Sequence, residues 1–164
     1  MRVYVPATLP SLLEYVRSGS VAQQQAYAVT PALREWYTEG DLEELEYAAM
    51  TAAARRSLRL LGEEPHAPRK RVVIAVDVAD GAVAPVGELG KDAAAVRLAG
   101  PVAMVDVVSA HVDDDLAVSD IAAAVTALPA ADTGDDDAAF AVDGAEAHEL
   151  AWYAVQELPD LVGE

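Results

Sequence analysis

The run RVVIAVDV, residues 71–78, constrains this chain more than any other stretch. Val72, Ile74, Val76 and Val78 alternate with Val73, Ala75 and Asp77, a period of two that suits a β-strand and not a helix. A second run, Pro101 to Val112, has Val102, Met104, Asp106, Val108, Ala110 and Val112 on its even positions. Its odd positions carry Val105, Val107, Ser109 and His111, so both faces are largely apolar, which predicts a single central strand. Two such strands commit the chain to a sheet, and the remaining segments must supply its cover.

The cover is legible as helices. Leu9-Pro10 opens one, with Leu12, Leu13 and Val16 at helical spacing before the Ser-Gly-Ser stop at 18–20. Gln25 to Thr30 reads as a short strand, like Arg2 to Pro6 before it, where Pro6 is expected to end the strand. Pro31 then starts a helical turn through Trp36 that Gly40 breaks. Asp41 with Glu44 three residues on resembles a capping box and starts the longest helix, to about Leu61. Its expected core stripe is Tyr47, Met50, Ala54, Leu58 and Leu61, with Leu42, Leu45, Ala49 and Ala52 beside it. Residues 79–100 read as loop with short strand pieces around Val96, and Ser119 caps a helix over Asp120 to Leu128 that Pro129 closes. The segment 130–146, AADTGDDDAAFAVDGAE, reads by composition as a mobile acidic loop.

The ending YAVQELPDLV (153–162) parallels YVPATLPSLL (4–13), which points to shared strand-turn-helix geometry or, alternatively, to a duplication. The order β-α-β-α-β-β-α-β over 1–164 predicts a single α+β domain. Its sheet is mixed or antiparallel, with helices packed mainly on one face in a ferredoxin-like manner.

Charge divides the chain. Residues 1–64 carry nine acids and six bases, residues 65–97 four and five, and residues 98–164 fifteen acids with no Lys or Arg. The total of −17 repels phosphate backbones and anionic lipid, so neither nucleic acid nor membrane is an expected partner. No cysteine is present, which removes disulfides, thiolate metal sites and Cys nucleophiles. The start MRVYVPATLP is neither a signal peptide nor a lipidation motif, and no apolar run approaches the roughly 18 residues of a membrane span, so the expected compartment is cytoplasmic.

Motifs with chemistry are few. G-x-S-x-G, Walker A and G-x-G-x-x-G are missing, and His148-Glu149 begins an H-E-x-x-H only for Trp152 and Tyr153 to stand where the second His is needed. His111 with Asp113, Asp114 and Asp115 is the weak candidate for a divalent-metal site, because carboxylates in a loop after a strand are what Mg²⁺ or Mn²⁺ uses. Adjacent side chains diverge, however, so the favoured reading is a strand end and solvated loop with no metal and no cofactor. The basic cluster Arg55, Arg56 and Arg59 could hold an anion or an acidic partner, or face the protein's own acids.

Three stretches, MRVYVPATLP, AVTPALREWY (28–37) and ELAWYAVQELPDLV (149–162), resemble an uncharacterised family of high-GC Gram-positive bacteria. That resemblance spans nearly the whole chain and brings no activity, cofactor or site residue with it. The expectation is therefore a non-enzymatic binding or accessory domain acting through a protein contact, with a foreign protein or a second copy as partner. The alternative is a small metal-dependent hydrolase at His111 and Asp113 to Asp115.

Overall fold

The computed structural model describes residues 1–87 and 92–163. In chain order the elements are β1 (Arg2–Ala7), α1 (Leu9–Ser18), β2 (Ser20–Val21), β3 (Gln25–Ala28), α2 (Pro31–Trp36), α3 (Leu42–Glu63), β4 (Val72–Asp77), β5 (Val83–Pro85) and β6 (Ala95–Leu98). They continue with β7 (Val102–Ala103), β8 (Val107–Val112), α4 (Val118–Asp132), α5 (Asp136–Asp143), β9 (Ala151–Ala154) and α6 (Leu158–Leu161). Among the described residues no helix is long and apolar enough to cross a membrane.

Among the described residues seven strands form one sheet in the order β5-β6-β3-β1-β4-β8-β9, with every neighbouring pair antiparallel, and β2 pairs with β7 apart from it. The expected α+β domain with an antiparallel sheet is what the chain forms. β4 lies near the middle because Val72 to Val76 are apolar on both faces, and all five are essentially inaccessible to solvent. Alternation sends Val3, Val5, Val72, Ile74 and Val76 to one face, where Leu12 of α1, Leu158 of α6 and Val21 of β2 close over them. Tyr4, Val73 and Ala75 go to the other face, under Leu33 of α2 and Leu45, Ala49 and Ala53 of α3. The far end of α3 packs Leu58 and Leu61 against Ile121, Ala124 and Leu128 of α4. Most of the helical mass thus lies on one face, and the short α1 and α6 cover the other.

Several boundaries differ from the sequence expectation, each for a physical reason. β1 runs through Pro6 to Ala7 because its pairing with β4 continues there, whereas the recorded pairs with β3 are only Val3 and Tyr4. The run 101–112 is not one strand. Val102 and Ala103 pair with β2, a 3-10 turn over Met104–Asp106 leaves Val105 88% exposed, and only Val107–Val112 joins the main sheet. β-branched alternation reads the same whether one strand or two sheets use it. On α3 the buried residues include Ala54, Leu58 and Leu61 of the expected stripe together with Leu45, Ala49 and Ala53, while Tyr47 stands 54% exposed. Alanines at the contact let the helix approach the sheet more closely than a tyrosine would. Within 79–100, residues 88–91 lie outside the described residues, and β6 spans Val96 as expected.

The acidic segment 130–146 is helical rather than loop. α4 passes through Pro129 to Asp132, Gly134 turns the chain at a φ of 94°, and α5 begins at Asp136. Asp135 accepts the backbone N–H of Ala138 as N-cap, and Asp136 and Asp137 sit in the first turn, where the helix dipole favours negative charge. Asp114 does the same at the other triple-Asp run, accepting from the N–H groups of Leu116 and Ala117 at 3.0 and 3.2 Å. That 3-10 turn leads into α4 at Val118, so Ser119 is not the cap. The segments 4–13 and 153–162 share local geometry: each is a strand leading to a helix that opens on Leu-Pro, and the leucines at 12 and 158 reach the same core.

One buried hydroxyl joins α3 to the sheet. Ser57 donates to the carbonyl of Ala7 at 2.7 Å and accepts the N–H of Val72 at 2.9 Å, satisfying the end of β1 and the start of β4 at once. Replacing it leaves two buried backbone groups without partners. Ser57→Ala is expected to cost about 1–3 kcal/mol, measured by urea unfolding; a change within about 0.5 kcal/mol would show that water reaches both groups.

Candidate functional site

Arg55, Arg56 and Arg59 leave α3 over the β3–β6 side of the sheet. There the small Ala52 leaves a cavity of about 460 Å³ between helix and strands. The three arginines line it together with Tyr27 of β3, Arg97 of β6 and Asp92. The sequence placed the first three; Arg97 was invisible because only the antiparallel pairing of Gln25 with Arg97 brings β6 beneath α3. Tyr27 keeps its proton, its phenol pushed up chiefly by burial and then by Asp92, with Arg56 opposing.

The four guanidinium groups are not equivalent. Arg55 Nε donates to Glu146 at 2.5 Å, and Arg59 makes a two-point contact with Asp132 at 2.8 and 2.9 Å. Both acids come from the base-free part of the chain, so these two arginines do face the protein's own charge, and each is held at the cavity rim. Arg56 is different. Its Nε is sealed from solvent and, among the described residues, has no hydrogen-bond acceptor. Among the described residues neither Arg56 nor Arg97 forms an ion pair, so the cavity holds two guanidinium groups free to take a carboxylate or another oxyanion in a forked contact.

The second sequence candidate, residues 111–115, does not converge on a point. Asp113 is buried and bound to Arg71: Nε and Nη2 each reach a carboxylate oxygen at 2.8 Å, and the Arg71 backbone N–H donates to Oδ2 at 2.8 Å. Arg71 Nη2 also donates to the carbonyl of His148 at 3.0 Å. Asp114 is a cap, and Asp115 extends into solvent to meet Lys70 at 2.7 Å, which holds its carboxyl below the ordinary value. His111 Nε2 shares a proton position with Ser109 Oγ at 3.3 Å. Among the described residues no three His, Asp or Glu side chains are grouped as metal ligands.

Acyl-transfer chemistry needs a nucleophile, a base and an orienting carboxylate in series. His111 has the serine, and His148 has a carboxylate, Asp120, at 2.6 Å. The two halves lie on different histidines.

Asp113 is therefore expected to carry stability. Removing one partner of a buried pair strands the other charge, so Asp113→Ala should cost about 3–5 kcal/mol in denaturant unfolding. Asp114→Ala should cost about 1 kcal/mol through the lost cap, while Ser119→Ala should stay within about 0.5 kcal/mol. His111 gives a pH test. Burial, and to a lesser degree Arg2, holds its ring below the ordinary 6.5, so the unfolded chain takes up the proton first as pH falls. Stability is full above that value and declines below it. A smaller decline in His111→Gln than in the wild type is expected between pH 6.5 and the depressed folded value; equal declines would assign the effect to other groups.

A model described as a family of unknown function (DUF6912) matches residues 1–162, and the chain belongs to that family. No curated protein and no solved structure matches it.

Proposed function

We propose that this member of a family of unknown function is a non-catalytic binding domain that contacts a protein partner through the arginine-lined cavity, which takes a carboxylate-bearing segment. The observation that carries the reading is that Arg56 lines the cavity and, among the described residues, forms no ion pair. A guanidinium on a cavity wall without an acidic partner offers its forked N–H donors to an incoming oxyanion. Arg97 supplies a second positive charge from the opposite wall.

The surroundings favour an isolated carboxylate over a phosphate backbone. Glu146 and Asp132 neutralise Arg55 and Arg59 beside the cavity and repel any ligand with charge spread along its length. The metal-hydrolase alternative draws no support from residues 111–115, since Asp113 is committed to Arg71 and Asp114 to a cap.

A glutamate-rich decapeptide and its glutamine counterpart, titrated calorimetrically, test the reading. The acidic peptide is expected to bind and the neutral one not. Arg56→Ala and Arg97→Ala should each weaken binding about tenfold or more, the loss of a charge-assisted hydrogen bond. Undiminished binding in both variants would place the contact elsewhere.

A further inference from the structure

The free side of β9 raises a separate question, because among the described residues β9 is the last strand of the sheet and pairs with β8 alone. The direction of its backbone groups follows from the ladder. Asp113 N–H donates to Arg71 O at 3.1 Å, so Asp113 and, two residues back, His111 face β4, while Ala110 and Val112 face β9. Their partners Tyr153 and Ala151 then bond to β8, and Trp152, opposite His111, turns its N–H and C=O outward. The next outward N–H, that of Ala154, is taken by Glu157 Oε2 at 2.7 Å, which agrees with this assignment.

Natural sheets shield such edges with proline, lysine or other charges on the strand. β5, at the opposite edge, ends on Pro85. β9 reads Ala-Trp-Tyr-Ala, with none of these devices, and Trp152 is 61% exposed. Beside the indole lies a groove of about 380 Å³, floored by Ala75 and His111 and walled by Glu43, Glu46 and Tyr47 of α3. Arg2 also lines it, but Asp77 holds that guanidinium at 2.6 and 3.2 Å. Tyr4 donates to Glu46 at 3.1 Å, and burial first, then Glu46, pushes its phenol up to about 12, so the hydroxyl stays protonated. Aromatic faces with two carboxylates form a receptor for a lysine or arginine side chain.

We infer that this edge and groove dock a basic, extended segment of a partner protein, which pairs with β9 as an eighth strand and places one cationic side chain against Trp152 and Tyr47. Backbone pairing at Trp152 provides the register, and the groove provides the selectivity. Charge decides between occupants. Glu149 and Glu157 bracket the strand, and residues 98–164 have no Lys or Arg, so a second copy placed β9 to β9 would set acid against acid. A basic chain meets the complementary field.

The test uses three decapeptides: alternating Lys and Val, alternating Glu and Val, and alternating Lys and Pro, the last with the same charge but no strand donors at its prolines. Titrations use the Trp36→Phe protein, in which Trp152 is the remaining indole. The Lys-Val peptide is expected to bind, to shift Trp152 emission and to slow hydrogen exchange at the Trp152 amide. The Glu-Val and Lys-Pro peptides should not. Trp152→Pro removes an outward N–H and no bond to β8, and should abolish the effect. Should that variant unfold, Glu43→Lys with Glu149→Lys, both on the surface, should weaken Lys-Val binding at least about tenfold, and Arg56→Ala should leave it unchanged. Equal binding of the Lys-Pro peptide would reduce the effect to bulk charge attraction and overturn the proposal. Failure of the Lys-Val peptide to bind, or a dimer in sedimentation that Trp152→Pro dissociates, would overturn it as well.

Discussion

The contact on which the sheet depends is the ion pair between Arg71 and Asp113. It sits where β4 begins and β8 ends, buried on both sides, with side-chain exposures of 4% and 0%. The carboxylate also takes the Arg71 backbone N–H, and the guanidinium reaches the carbonyl of His148 just before β9. Three strands that share no turn are thus indexed by one pair of side chains. An apolar pair of equal volume would hold them about as tightly. It would not say which residue stands opposite which, and in a strand as uniformly aliphatic as β4 a slip by one position would otherwise exchange its two faces.

How much of this was written in the sequence depends on the range of the interaction responsible. Local signals were readable: the Leu-Pro start of α1, the Pro31 start of α2, Asp41 as the cap of α3 and the aliphatic alternation of β4 all act within a few residues. The errors came from features that look alike until the chain is folded. Consecutive aspartates read as loop or metal ligands, yet at Asp114 and at Asp135 they begin helical turns, because a short carboxylate that binds backbone N–H groups suits either setting. Of the arginine cavity, the α3 cluster was visible as a pattern. Arg97 was not, since it arrives through strand pairing across 38 residues of sequence from Arg59.

The division of charge along the chain has a structural counterpart. Bases from the first part and acids from the last meet where α3 lies beside α4 and α5, at Arg59 with Asp132 and at Arg55 with Glu146. These pairs are substantially exposed and each contributes about 1 kcal/mol or less. Their effect is on what remains. By engaging two of the cavity's arginines they leave Arg56 and Arg97, with Asp92 on the same wall, as the charged groups among its described lining that no ion pair holds, while the acids left over give the β9 side a field of opposite sign.

The place of β1 in the sheet governs the order in which the molecule can assemble. Its partners on either side are β3, which follows closely, and β4, whose first residue comes some 65 positions after the end of β1. During synthesis at about 5–20 residues per second, the first strand therefore waits several seconds with one aliphatic flank unsealed. Thr8 and α1 can form at once, since they need only their own neighbours, and they stand over part of that flank in the interval. A sheet whose earliest strand ends up near its middle closes from the inside outward, with the last strand to emerge, β9, added at the rim.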